Sequence, residues 1–248
     1  MPKSIRLFFT FTMSTFLILF FSCESFAAKK RGGKGAFAGG SLSVGLGLSL
    51  VTADQTGINS LISSAKTATN STAGSLSSAT EYVGYLTFKF SNNFAALQLR
   101  PALFSQSTSG TGSDGAHSYK LDGFTLFPLI RLIPLSNDLI DFYLQGGLGY
   151  GKLDGTIKNG ATSTTFSGSA FGTQFGLGAE FCFLPDHCLN VEGNYRYLPI
   201  SRNIVSSGTG LPAGVSQNTA EQELEASGMD VATTLTGVSG LLSYTYNF

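Results

Sequence analysis

From residue 36 to the C-terminus, apolar and polar or small side chains alternate through eight segments, the period of a strand whose two faces meet different surroundings. The first, Ala36 to Val51, sets Leu42, Val44, Leu46, Leu48 and Leu50 against Ser41, Ser43, Gly45, Gly47 and Ser49. Glu81 to Phe90 and Phe94 to Ser105 follow the same rule. In Tyr119 to Leu132 both faces are apolar through Phe127 and Leu129, which leaves the phase open. Ile140 to Gly151 is the clearest: Ile140, Phe142, Leu144, Leu148 and Tyr150 alternate with Asp141, Tyr143, Gln145, Gly147 and Gly149. Ala170 to Cys182, Cys188 to Pro199 and Ala232 to Phe248 complete the set.

No run of about 18 apolar residues occurs after residue 36, which excludes helical membrane spans there. The connections run long, short, long, short, long, short, long: 52–80, 91–93, 106–118, 133–139, 152–169, 183–187 and 200–231. A water-soluble sandwich has no reason to keep tight turns at one end and long loops at the other, whereas a barrel in an outer membrane does. In hydrocarbon every backbone donor and acceptor must be paired internally, so strands cross only as a sheet rolled shut. The pattern therefore predicts an all-β, eight-stranded antiparallel transmembrane up-and-down β-barrel over residues 36–248, both termini on the periplasmic side. The first long connection is dense in Ser, Thr and Ala, as at Ser71 to Ser75, so it is expected to bury little and stay mobile.

The N-terminus adds an address. Lys3 and Arg6 precede an uncharged, mostly apolar run from Leu7 to Phe21, and Ser25-Phe26-Ala27 offers small residues to a signal peptidase. Residues 1–27 read as a signal peptide whose apolar run, Leu7 to Phe21, is too short to span a bilayer; lipoprotein processing at Cys23 is the rival. Lys29, Lys30, Arg31 and Lys34 then make residues 28–35 a basic periplasmic tail suited to anionic lipid. Only 12% of residues are charged, half the usual share, yet 21 Phe and 9 Tyr exclude a disordered chain. Fifteen basic residues balance fifteen acidic ones, which argues against a nucleic-acid partner.

With apolar faces turned to lipid, the opposite faces carry Glu81, Lys89, Arg100, Arg131, Asp141, Glu180, Glu192 and Arg196 into one narrow lumen. Four positive and four negative groups can pair there, and the interior of eight strands is just wide enough for side chains, so a filled structural core is expected in preference to a conducting pore. Lys120, Asp122 and Asp230 fit only above the membrane edge. Catalytic constellations are sparse. His117 has Asp114 and Ser118 nearby, but three polar residues close in a loop carry no hydrolase signature, and no catalytic residue is assigned. Cys182 and Cys188 flank a short turn containing His187, which suits a disulfide or two unpaired thiols better than zinc; no metal or cofactor is expected. The carboxylates of Glu221, Glu223 and Glu225 read as a solvated loop, with bridging divalent ions as the alternative.

Three stretches, Gln145 to Gly151, Gly176 to Glu180 and Glu192 to Tyr197, resemble strands of the small eight-stranded outer-membrane barrels related to the OmpA transmembrane domain. The likeness covers nearly the whole chain after the leader and rests on the order and spacing of its glycine and aromatic patterns. The ending Leu242 to Phe248 is similar to the family's assembly signal, and the resemblance implies that Tyr244, Tyr246 and Phe248 are read by the barrel-assembly machinery. The sequence departs from full-length OmpA proteins, with no counterpart of their peptidoglycan-binding domain. A structural, surface-interaction barrel is the expectation. Its partners would be outer-membrane lipid and lipopolysaccharide, with host or environmental ligands meeting the loops. A narrow channel for small solutes, hydrophobic ones included, is the alternative.

Overall fold

The computed structural model describes residues 40–91, 94–137, 139–184 and 186–248; the expected leader, the basic tail and the beginning of the first segment lie outside them. The long strands are β1 Ser41–Thr52, β2 Ser78–Lys89, β3 Ala95–Gly112, β4 Gly115–Ser136, β5 Ile140–Asn159, β6 Thr162–Leu184 and β7 His187–Tyr197. Six short pieces follow: β8 Pro199–Ile200, β9 Ile204–Thr209, β10 Val215–Gln217, β11 Glu225–Ala226, β12 Met229–Asp230 and β13 Thr233–Thr234. The last strand is β14 Gly237–Asn247, and a helix, α1 Thr56–Thr69, lies between β1 and β2.

β1 to β7 pair in sequence order, β14 lies between β7 and β1, and every pairing is antiparallel. The eight strands thus form a closed up-and-down barrel with no free edge in the membrane. Register keeps like faces together: Leu48 sits opposite Tyr82 on one side and Leu242 on the other, all three exposed. Leu46, Leu50, Leu99, Ile130, Leu144, Leu148, Phe175 and Val191 extend this outward apolar belt, while Ser49, Thr87, Gln98, Gln145, Asn190 and Ser243 are buried within. The belt's outer margin is aromatic: Tyr82, Phe124, Tyr150, Phe171, Tyr195 and Tyr197 are exposed, with the Tyr150 and Phe171 rings 5.4 Å apart.

Three expectations are corrected. Residues 106–118 and 152–169 are not open loops: β3 and β4 continue to a two-residue turn at Ser113-Asp114, and β5 and β6 to one at Gly160-Ala161. The reason is that the two faces exchange roles beyond the aromatic margin. There Lys120, Lys152 and Asp154 are exposed outside, while Tyr119, Leu121, Leu153, Ile157 and Phe166 are buried inside. A strand leaving lipid for water must turn its apolar face from the surroundings to the interior, so the phase that marks the lower half disappears.

The connection 52–80, expected to be mobile, contains α1, which buries Ile58, Leu61, Ile62 and Ala65. Their spacing makes one apolar stripe, and the stripe seals the upper interior together with Phe104, Tyr119, Leu121, Leu153 and Ile157. The stretch 200–231 likewise folds into β8 to β12, bringing Val205, Val215, Leu224 and Val231 into the same core. There β9 takes over from β7 as the neighbour of β6, pairing with Ser163 to Ser167. The final wall strand consequently begins at Gly237 and not at Ala232, and β7 stops at Tyr197.

Candidate functional site

Strand alternation delivers the eight charged side chains to the lumen, where each meets an opposite charge. Lys89 Nζ lies 2.6 Å from Asp141 Oδ2 and 3.2 Å from Glu180 Oε1. Glu180 Oε2 is 3.7 Å from Arg131 Nη1, and Arg131 Nη2 is 3.1 Å from Glu192 Oε1. Arg100 Nη2 reaches Glu192 Oε2 at 2.7 Å. These six form one chain of alternating sign across the barrel. Arg196 and Glu81 make a separate pair at 2.6 Å. Burial explains the completeness, since a lone charge withdrawn from water is costly and a well-bonded pair offsets that cost.

Neutral residues finish the coordination, and charge alone did not single them out. Glu192 accepts hydrogen bonds from Tyr143 Oη at 2.7 Å, Gln145 Nε2 at 3.0 Å and Asn194 Nδ2 at 3.2 Å. Gln98 Oε1 accepts from Arg100 Nη2 at 2.7 Å, and the Arg131 guanidinium stands 3.7 Å over the Tyr143 ring. Below them Tyr85 Oη bonds Ser243 and Thr245 at 2.9 and 2.7 Å. The signal for these residues was the same inward alternation. Glycines make the room. Tyr143 faces Gly178 and Tyr85 faces Gly45 across their strand pairs, and a Cβ at either glycine would overlap the ring. Between the Arg196–Glu81 pair and the six-residue chain, the gap lined by Ser49, Glu81, Arg100 and Arg196 measures about 10 Å³, roughly the space of one water.

Above the charges the interior is apolar and stapled. Gln55, fully buried before α1, donates from Nε2 to Gln106 Oε1 at 3.1 Å and to the Thr234 carbonyl at 2.8 Å. It accepts from the Thr234 amide at 3.0 Å, and Gln106 donates to the Ala53 carbonyl at 3.0 Å. The helix is therefore tied to both β3 and β13.

Among the remaining candidates, His117 is buried, its Nε2 2.6 Å from Asp114 Oδ1, and this bond holds the Asp114 carboxyl below its ordinary range. Ser118, the next residue of β4, points to the opposite face, so the two do not form a nucleophile and base. Cys182 and Cys188 are cross-strand partners joined as a disulfide, which removes the thiolates a metal would need from the cluster they form with Glu180. His187 packs among Phe183, Tyr244 and Tyr246 and bonds the Tyr244 hydroxyl. Tyr244 and Tyr246 point outward from β14, and Phe248 follows it. Glu223 pairs with Arg202 while Leu224 beside it is fully buried, so the acidic stretch is partly anchored and not a free loop.

The sequence profile of the outer membrane protein beta-barrel domain matches residues 13–224. The chain belongs to this family. The protein is accordingly an integral barrel of the outer membrane. Among solved structures, the outer membrane protein OprG from Pseudomonas aeruginosa aligns over 84% of this chain and 96% of its own, at 14% identity and a TM-score of 0.58. A major outer membrane protein from Thermus thermophilus aligns over 84% and 99%, at 13% identity and 0.47. Ail, the attachment invasion locus protein of Yersinia pestis, in complex with the heparin analogue sucrose octasulfate, aligns over 84% and 97%, at 14% identity and 0.43. At 14% identity the likeness to OprG speaks for the shared fold alone. No curated protein matches the sequence.

Proposed function

We propose that this outer-membrane barrel is a closed structural protein that presents folded hairpins and the α1 cap at the cell surface. The observation that carries the reading is the chain of six paired charges from Asp141 to Arg100 across the lumen. The apolar core above it, where α1 packs with Phe104, Tyr119, Leu121, Leu153 and Ile157, supports a second closure. Outer-leaflet lipid, including lipopolysaccharide, is the partner of the belt. The barrel-assembly machinery is the partner of Tyr244, Tyr246 and Phe248, and surface ligands meet the hairpin tips. No catalytic role is assigned, since His117 and Ser118 face apart.

Recording from the purified protein in planar bilayers tests the closure: no conductance steps above baseline are expected, and reproducible steps from the folded barrel defeat it. One observation favours the narrow-channel alternative. If α1 left its seat, the upper interior would become an apolar vestibule lined by Tyr119, Leu121, Leu153 and Ile157. A disulfide between cysteines placed at Thr69, the last residue of α1, and Ser113, whose amide donates to the Thr69 carbonyl at 2.8 Å, would tie α1 to the β3–β4 turn. Uptake of a small apolar solute into proteoliposomes that stops on oxidation of that pair would establish the channel reading.

A further inference from the structure

The outer collar of the barrel, just above the aromatic margin, is mostly uncharged. β3 offers Ser105, Ser107 and Ser109 outward there, and β6 offers Ser169, Ser167 and Thr165. On adjacent strands β4 and β5 the same level carries Lys120, Asp122, Lys152, Asp154 and Lys158. Among the described residues these are the charged side chains on the outward faces of the eight wall strands. Their order is set by register. Lys152 is the cross-strand partner of Phe124, so the first cation borders the last apolar residue directly. Asp122 faces Asp154 in the next outward row, Lys120 faces Thr156 in the one above, and Ser118 faces Lys158 above that.

We propose that this β4–β5 patch docks the phosphate-bearing headgroup of a lipid of the outer leaflet, whose acyl chains lie against Phe124, Tyr150 and Phe171. The proposal rests on the reading of outer-leaflet lipid as a partner and names where that contact is made. Position comes first: a lipid whose chains cover the belt brings its phosphates to the level of Lys152. Charge is complementary, with three lysines against two aspartates. The aspartates hold the lysines ready without consuming them. Lys120 is 2.5 Å from Asp122 and Lys152 is 3.2 Å from Asp154, but all four side chains are about half exposed. Ion pairs so open to water are weak, and a phosphate, with more charge and more acceptor oxygens, exchanges with them at little cost.

The test uses the full-length protein in detergent micelles and native mass spectrometry with bisphosphorylated lipid A, its dephosphorylated form and inorganic phosphate as probes. Wild type is expected to retain the phosphorylated lipid over the dephosphorylated one. The combined variant Lys120→Gln, Lys152→Gln, Lys158→Gln is expected to lose that preference, by about fivefold for each lysine removed. Lys66→Gln, a lysine in the last turn of α1 and not on a wall strand, serves as the control and should leave the preference unchanged. Heat-dependent gel migration confirms that each variant is folded. A folded triple variant with the wild-type preference overturns the proposal, as does a wild type that ignores phosphorylation. If inorganic phosphate at equal concentration displaces the lipid completely, the site binds free phosphate and the lipid assignment is wrong. Conductance bears on the closed lumen alone, so an open pore with an intact lipid preference would sink that reading and leave this one standing.

Discussion

The two halves of the barrel are built from the same strands with opposite insides. In the lipid-crossing half, the outside is Leu, Val, Phe and Tyr and the inside is a paired set of charges and amides. In the half beyond the aromatic margin, Lys and Asp stand outside and a continuous apolar core stands inside. β5 shows both: Leu144 and Leu148 point outward below, whereas Leu153 and Ile157, of opposite parity, are buried above. The surroundings dictate the difference. Lipid accepts apolar side chains on the outside, which leaves the polar ones to be satisfied within; water reverses the demand. What holds each half together therefore differs. The lower half depends on electrostatic completeness, and the upper half depends on burial of apolar surface.

The largest effect is expected where electrostatic completeness is broken. Glu192→Ala leaves Arg100 and Arg131 buried without their shared carboxylate and should cost about 3–5 kcal/mol in urea unfolding from lipid vesicles. A loss below about 1 kcal/mol would show that the lower interior is wet enough to solvate them. Next comes Leu61→Ala in α1, a fully buried side chain, expected to weaken the upper core by about 2–5 kcal/mol. Because that core lies outside the membrane, limited proteolysis should cut between residues 52 and 78 while the heat-dependent gel shift of the barrel persists. Simultaneous loss of both would mean that the halves fold as one unit. The sharpest contrast uses one strand and one face. Leu144→Arg, turned to lipid, should cost about 2–4 kcal/mol, whereas Thr156→Arg, outward in the upper half, should change stability by no more than about 0.5 kcal/mol. Equal costs at the two positions would erase the boundary drawn between them.

Much of the barrel was legible because period-two alternation is a local property. Leu144 against Gln145, or Val191 against Glu192, can be read without knowing which strand lies alongside, and lumen charges such as Arg100 and Glu192 follow from that parity. The reading failed where the apolar face changes sides. Tyr119 to Leu132 crosses the margin, so Leu121, Phe127 and Leu129 inside and Leu126 and Ile130 outside blur into one apolar run. The α1 stripe of Ile58, Leu61, Ile62 and Ala65 was hidden among Ser and Thr because it is short, and it has value only against a cavity the sequence does not display. Gln55 and Gln106 carried no signal, since an amide reads the same in a loop as in a staple.

The order of residues alone indicated that the strands are membrane-crossing, how many cross, and, where the alternation is clear, which face is turned to lipid, because lipid selects one parity over another residue by residue. Which charge meets which, that Tyr143 and Gln145 complete the coordination of Glu192, and that α1 closes the upper interior were settled only when the sheet rolled shut. Those contacts join residues tens of positions apart, and their energies exist only once closure has removed the water between them.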